Sequence, residues 1–261
     1  MGIEVFLRSV FVYIVLFIFV LFASPTALIA SFFKHHEKIL RLIYVWFGKI
    51  PLFIAGITVT VHGNDKLDKG KTYIFASNHQ SQIDIFAIMA YIPFDLKWMV
   101  KKELFKIPIF GFTMKKLGHL RVDRSNPKLA LKSLDKAAQR IKGGTSVLFF
   151  PEGTRSSDST LLPFKKGTFF LATRANVPVV PVTIIGSCNL QPKGEWKFKK
   201  GSVTIIIDDP IDTSAFTTKE QEKLSQMVQD IMIKNLGRRP EIFIPQKTLS
   251  PLFEDTQESP Q

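Results

Sequence analysis

Tyr73-Ile74-Phe75-Ala76-Ser77-Asn78-His79-Gln80-Ser81-Gln82-Ile83-Asp84 changes character twice within twelve residues. Tyr73 to Ala76 is a short apolar run closed by polar residues, the pattern of a buried strand ending at Ser77-Asn78-His79. Asp84 to Tyr91 reads as a helix. Strand and helix patterns alternate on both sides of this stretch. Strands are expected at Ile57–His62, Leu96–Val100, Leu120–Val122, Ser146–Phe150, Val179–Ile185 and Val203–Ile207. Ser125-Asn126-Pro127 opens a helix that runs to Lys142, with Pro at the first helical position. Gly143-Gly144 ends it. Further helices are expected over Lys166–Arg174 and Thr217–Leu236. The alternation predicts an α/β domain with a mixed, largely parallel sheet flanked by helices. Pro181 lies inside a strand, which calls for an edge position or a bulge, because proline has no N–H to donate to a ladder.

The N-terminus has another character. No charged side chain occurs from Ser9 to Phe33. As a helix those residues reach roughly 37 Å, enough to cross a bilayer core of about 30 Å. Pro25 allows either a kinked span or a turn at Ser24-Pro25 and re-entry. A cleaved signal peptide fits less well, because Glu4 precedes Arg8 and the apolar run is long. Lys34, Lys38 and Arg41 follow and point to a cytoplasmic location for the rest of the chain. Ile39 to Val61 carries Arg41, Lys49 and Pro51. It reads as an amphipathic interfacial helix leading into the first strand, or as a helix packed on the globular core. The expected organisation is a membrane anchor and interfacial helix over 1–56, an α/β domain over 57–236, and an extended or disordered tail over 237–261 with Pro240, Pro245, Pro251 and Pro260.

Charge and apolarity coexist. Among 261 residues there are 35 Lys+Arg against 22 Asp+Glu, a net +13, yet 46% are hydrophobic and 24 are Phe. That excludes long-range disorder. The single cysteine, Cys188, excludes an intramolecular disulfide framework and a multi-Cys metal site. Between Lys97 and Lys142 ten Lys and three Arg face only Glu103, Asp123 and Asp135, a net +10. A charge run is often a solvated face, but this concentration suggests an anionic partner, either a membrane surface or nucleic acid.

Two local constellations bear on chemistry. His79 and Asp84 are five apart, about 500° on one helix, so the side chains would diverge. They meet only if His79 lies in the strand-to-helix turn and Asp84 in the first helical turn. A carboxylate on one imidazole nitrogen makes the other a better base. A turn histidine beside an unrelated exposed Asp is the competing reading. The second is Phe150-Pro151-Glu152-Gly153-Thr154-Arg155-Ser156, at the carboxyl end of an apolar strand, where α/β proteins place ligands. Arg155 offers a planar fork suited to phosphate, Gly153 permits close backbone approach, and Lys165-Lys166 follow. An ordinary surface loop is again the alternative. There is no G-x-S-x-G. Gly70-Lys71-Thr72 has Asp65 where a phosphate-binding loop needs its first glycine. His35-His36 lacks a third ligand at metal spacing.

Together, Asn78-His79-Gln80-Ser81-x-x-Asp84 and Phe150-Pro151-Glu152-Gly153-Thr154-Arg155-Ser156 resemble the first and third motifs of the glycerolipid acyltransferases, specifically the 1-acylglycerol-3-phosphate O-acyltransferases. Gly118-His119-Leu120-Arg121-Val122-Asp123-Arg124 is similar to the second motif and Val177-Pro178-Val179-Val180-Pro181-Val182 to the fourth. Lys101 matches the basic segment before the second motif. The resemblance covers roughly residues 55 to 210. At Gln82 many members have an aromatic residue.

The resemblance implies that His79 is the general base on a lysophospholipid hydroxyl, oriented by Asp84. It implies that Lys101, Arg124, Glu152, Gly153, Thr154 and Arg155 bind the acceptor, with Lys101, Arg124 and Arg155 on its phosphate. The implied reaction acylates the sn-2 hydroxyl of 1-acylglycerol 3-phosphate (lysophosphatidic acid) to phosphatidic acid, with acyl-CoA or acyl-carrier protein as donor. It implies no cofactor, no metal and no nucleic acid, but a phospholipid membrane as partner. Another lysophospholipid, glycerol 3-phosphate, or a non-catalytic role in binding anionic lipid are the alternatives.

Overall fold

The structure is a computed structural model, and it describes residues 2–30, 32–33, 37–108, 110–122, 126–165 and 168–237. Lys34, His35-His36, Asp123, Arg124, Ser125, Lys166 and the tail beyond Gly237 lie outside the described residues.

Among the described residues seven strands form one sheet: β1 (Ile57–His62), β2 (Ile74–Ser77), β3 (Lys97–Lys101), β4 (Leu120–Val122), β5 (Val147–Phe149), β6 (Val179–Ile185) and β7 (Gly201–Ile207). Their order is β1-β7-β6-β2-β5-β3-β4, and every adjacent pair is parallel except the antiparallel β6–β7. The expected mixed, largely parallel sheet is therefore the one observed. Side chains alternate across it as the two-residue period of a strand requires. Phe75, Leu148, Val180 and Val182 join one core, and Ile74, Ala76, Val147, Phe149 and Val179 join the other. Because both faces are covered, these strands read as continuous apolar runs.

The first core is closed by α1 (Gly2–Ala30), α2 (Glu37–Ala55) and α3 (Ile83–Tyr91), through Val12, Leu52, Phe86 and Ile88. The second is closed by α5 (Pro127–Lys142), α6 (Phe170–Ala175) and α8 (Gln221–Asn235), through Ala137, Ile141, Leu171, Leu224 and Val228. Two short helices, α4 (Phe110–Lys116) and α7 (Ser187–Leu190), carry no periodic pattern long enough to be read from sequence. Helix α8 starts at Gln221, four residues later than the pattern suggests. Thr217 N–H and its hydroxyl both donate to Glu220 Oε2, at 3.0 and 2.9 Å, so the sequence before Gln221 is spent on a turn.

Pro181 is a correction in part. It is not at an edge, because β6 lies between β7 and β2. The bulge is present instead. Val182 pairs with Ile207 but Val179 bridges Ile211, so the partner chain carries one extra residue. The Pro181 carbonyl accepts from Asp208 N–H on that side. Its nitrogen faces the same side, where the slipped register demands no donor.

Helix α1 is continuous through Pro25 and is long and apolar enough to cross a membrane. It does not stand away from the domain. Lys200 reaches Glu4 at 2.7 Å, and Phe198 N–H donates to Ser9 Oγ at 2.8 Å. Phe19 packs on Phe47 of α2, and Lys116 of α4 lies 4.8 Å from the Phe32 ring centroid. Its buried residues are small or polar (Ser9, Ser24, Ala27, Ala30) apart from Val12, and half-buried Tyr13 and Leu16 pack on the core beside them. Burying that Val contributes about 1.5–3 kcal/mol. The outward stripe is bulky: Leu7, Phe11, Ile14, Ile18, Phe22 and Ile29 are exposed.

Helix α2 repeats the arrangement. Its outer face exposes Ile39, Leu42, Trp46 and Phe53. On the inner face Arg41 donates to the carbonyls of Phe94 and Ile92, and Trp98 Nε1 donates to Tyr44 Oη. The Ile39–Val61 stretch thus packs on the globular core through its inner face and leaves an apolar outer face exposed. Gly48 lies so close to α3 that a Cβ would sit 2.4 Å from the Phe86 carbonyl oxygen.

Candidate active site

The sheet register brings the two constellations together. Strands β2 and β5 are parallel neighbours with Ala76 opposite Phe149. Three residues further, His79 comes opposite Glu152, although 73 positions separate them in the chain. The carboxyl ends of adjacent parallel strands form the crevice in which open α/β sheets bind ligands.

His79 sits in the turn and Asp84 is the second residue of α3. This is the placement in which residues five apart can meet, and His79 Nδ1 lies 2.9 Å from Asp84 Oδ2. The same oxygen accepts the backbone N–H of Gln80 at 2.7 Å and of Ser81 at 2.8 Å. An oxygen that accepts two backbone N–H groups faces Nδ1 as an acceptor too, which puts the ring proton on Nδ1 and leaves the lone pair on Nε2. Asp84 is fully buried, at the positive end of a helix, where a carboxylate is favoured. The His79 ring stacks on Phe150, with centroids 3.9 Å apart and planes 10° from parallel. Asn78 fastens the preceding residue. Its Nδ2 donates to Ile184 O, and Ile184 N–H donates to its Oδ1, which stitches the turn to β6.

The third-motif loop is bound to the same turn. Ser156 N–H donates to His79 O at 2.9 Å, and His79 N–H donates to Glu152 Oε1 at 2.7 Å. Leu162 N–H donates to Glu152 Oε2 at 2.9 Å. Glu152, expected on the acceptor, is only 2% exposed and has both oxygens engaged by backbone. Its position is that of a brace between the His79 turn and the 150s loop. Gly153 has φ +71°, and a Cβ there would meet the Lys165 chain at 2.8 Å. The glycine therefore serves the turn and the passage of Lys165. Thr154 is exposed and Arg155 half-buried on the same loop. Lys101 ends β3, beside β5 in the sheet, and Arg124 is outside the described residues.

Burial pushes the Glu152 carboxyl up to about 8, against the pull of the Leu162 and His79 N–H groups. Its ordinary value is 4.5. The folded protein then holds a proton that the unfolded chain has lost. This contribution to stability is complete below about 4.5, falls as pH rises toward about 8, and is flat above. Thermal unfolding of wild type and Glu152→Gln across that window is expected to show the wild type losing stability relative to the variant. Parallel curves would remove Glu152 as the source.

His119, in the second-motif segment, is not part of this chemistry. Burial, aided by the Lys97 charge, lowers it to about 3. As a neutral ring it accepts Trp98 N–H at Nδ1, at 3.0 Å, and ties the turn before β4 to β3.

Two residues at the site escape sequence reasoning: Tyr13 and Gln191. Tyr13 had a signal, since it is the one polar side chain between Val10 and Ala23. Its hydroxyl donates to Gln82 Oε1 at 3.2 Å. Gln191 had none.

Residues 58–185 match the family model described as Acyltransferase. A 1-acyl-sn-glycerol-3-phosphate acyltransferase of Limnanthes alba is 35% identical over 190 residues, covering 72% of this chain and 67% of that protein. One of Saccharomyces cerevisiae is 35% identical over 202 residues, covering 75% and 66%. The crystal structure of the 1-acyl-sn-glycerophosphate acyltransferase PlsC from Thermotoga maritima superposes with a TM-score of 0.80 at 29% identity, over 90% of this chain and 96% of that one. The sheet, the His79–Asp84 pair and this similarity along the chain agree, and the chain belongs to the acyltransferase family, among the 1-acyl-sn-glycerol-3-phosphate acyltransferases.

Proposed function

We propose that the protein transfers a fatty acyl group from acyl-CoA or acyl-carrier protein to the sn-2 hydroxyl of 1-acylglycerol 3-phosphate at a membrane surface, giving phosphatidic acid. The observation that carries the reading is the His79 Nδ1–Asp84 Oδ2 bond of 2.9 Å, which leaves Nε2 as a base with its proton inventory fixed. Nε2 takes the proton of the acceptor hydroxyl as its oxygen attacks the thioester carbonyl. The new ester forms as the C–S bond breaks, and the thiolate leaves with the proton from Nε2. Asp84 steadies the imidazolium between the two steps. The names of the relatives support the acceptor. Arg155, half-buried at the mouth of the same loop, suits a phosphate monoester, with Arg124 and Lys101 assigned beside it by the family resemblance.

Membrane association is supported by the bulky outer stripes of α1 and α2. They continue into exposed Leu104, Ile107 and Phe112 around α4. Lys102, Lys106, Lys115 and Lys116 border that apolar surface, as cations do where a protein meets anionic headgroups. The contacts of α1 run from Glu4 to Ser24, so the helix lies along the domain with its outer face turned to lipid. Lys34, Lys38 and Arg41 favour the cytoplasmic leaflet.

Purified protein in mixed micelles, given labelled long-chain acyl thioester and lysophosphatidic acid, is expected to yield labelled phosphatidic acid. Arg155→Ala is expected to raise the acceptor KM about 10- to 100-fold for lysophosphatidic acid, and far less for a neutral lysolipid, since a hydrogen bond to a charged group contributes about 1.5–3 kcal/mol. No product with either donor would sink the reading. Equal losses on both acceptors would remove Arg155 from the phosphate.

A further inference from the structure

Between Val10 and Ala23 helix α1 carries one polar side chain, Tyr13, and it is turned inward. Its hydroxyl donates to Gln82 Oε1 at 3.2 Å and accepts from Gln191 Nε2 at 3.4 Å. Gln191 Nε2 also reaches Gln82 Oε1 at 3.3 Å, and Gln191 Oε1 accepts from Ser81 Oγ at 3.3 Å. Gln191 is fully buried. Gln82 therefore has its carbonyl oxygen held by two donors, while its –NH2 group donates to no described group. The amide plane is fixed and one end of it is left for a ligand.

The location says what the ligand is. Gln82 precedes α3 and is two residues from Asp84 and three from His79. The loop that carries Arg155 is bound to the same turn, with Ser156 N–H donating to His79 O at 2.9 Å. Tyr13 belongs to the helix whose outer face meets lipid, the side from which a lysolipid arrives. A thioester donor with a large soluble carrier approaches from water. We infer that Gln82 is a hydrogen-bond donor to the headgroup or glycerol of the lysophospholipid acceptor, and that Tyr13, with Gln191, is the positioning residue that holds it ready. This rests on the acceptor reading given under the proposed function.

Tyr13→Phe deletes one oxygen and keeps the ring, which packs on Phe198 and Trp196 with centroids 5.6 and 6.4 Å away. Loss of a neutral hydrogen bond corresponds to about 3- to 10-fold. Tyr13→Phe and Gln82→Ala are each expected to raise the KM for lysophosphatidic acid by about that factor, with donor KM and thermal midpoint unchanged. The double variant is expected to match Gln82→Ala alone, because the two act through one contact. Gln82→Glu, which removes the donor and adds a charge facing the phosphate, is expected to raise the acceptor KM more than Gln82→Ala. An acceptor KM that stays flat in Gln82→Ala, an equal rise in donor KM, or additive losses would overturn the inference. Equilibrium binding of a short-chain lysophosphatidate without donor reads the same point without turnover. A weaker Kd in both single variants supports the inference, and an unchanged Kd overturns it. Absence of transfer by the wild type would instead strike the proposed reaction, and the binding measurement would still decide the role of Gln82.

Discussion

His79→Ala is expected to lower kcat for acyl transfer by about 10³-fold, within the range that a positioned general base contributes. The fold is expected to survive. Asp84 Oδ2 keeps the Gln80 and Ser81 N–H groups, and the loop keeps its Ser156 N–H to His79 O and His79 N–H to Glu152 bonds, since all of these use backbone at position 79. What is lost is one ring stacked on Phe150 and one hydrogen bond, about 1 kcal/mol for the bond. Acyl transfer measured alongside a thermal melt separates chemistry from stability. Equal activity in the variant and the wild type would end the enzyme reading altogether.

The second large effect is at Asp84, and the choice of substitution decides what is learned. Among the described residues the buried Asp84 Oδ1 has no partner, while Oδ2 carries the contacts. An asparagine can therefore keep its oxygen at the Oδ2 position and set its –NH2 where Oδ1 was. The turn holds and Nδ1–H keeps an acceptor; the charge is gone, and the buried –NH2 without an acceptor costs about 1–3 kcal/mol of stability. Asp84→Asn is expected to cost about 10²- to 10³-fold in kcat, with both KM values near wild type, because the imidazolium formed after proton transfer loses its counter-charge. Asp84→Ala instead strips the acceptor from two buried N–H groups and is expected to destabilise the fold by about 1–3 kcal/mol for each. If Asp84→Asn keeps more than a third of the wild-type kcat, the carboxylate orients His79 without stabilising its charge.

Much of this site can be read along the chain, and what cannot has a common cause. The His79–Asp84 spacing is local, so a strand, a turn and a helix start suffice to predict that the two side chains meet. The Phe150–Ser156 loop is legible as a strand end for the same reason. Their union is not local. It depends on β2 pairing with β5, which no short-range pattern in either segment specifies. Glu152 shows the result: the family resemblance places it on the acceptor, and its hydrogen bond from the His79 N–H of the neighbouring strand end is visible only in the fold. Gln191 is invisible for a similar reason, since its partners Ser81, Gln82 and Tyr13 lie 110, 109 and 178 positions away. Pro181 is the intermediate case. Its chemistry predicts an irregular ladder, but whether that becomes an edge or a bulge is decided by β7.

The inward stripe of α1 has a mechanical consequence. A domain hung from a membrane by a flexible linker can rotate and search, and its site visits the lipid surface only part of the time. Here the helix is seated in the protein at Glu4, Ser9, Val12, Tyr13, Phe19 and Ser24, over most of its length. The rotational freedom is already gone. On the membrane association proposed above, whatever depth and tilt that helix takes in a bilayer, the His79 turn takes with it, as a tool takes the angle of its handle.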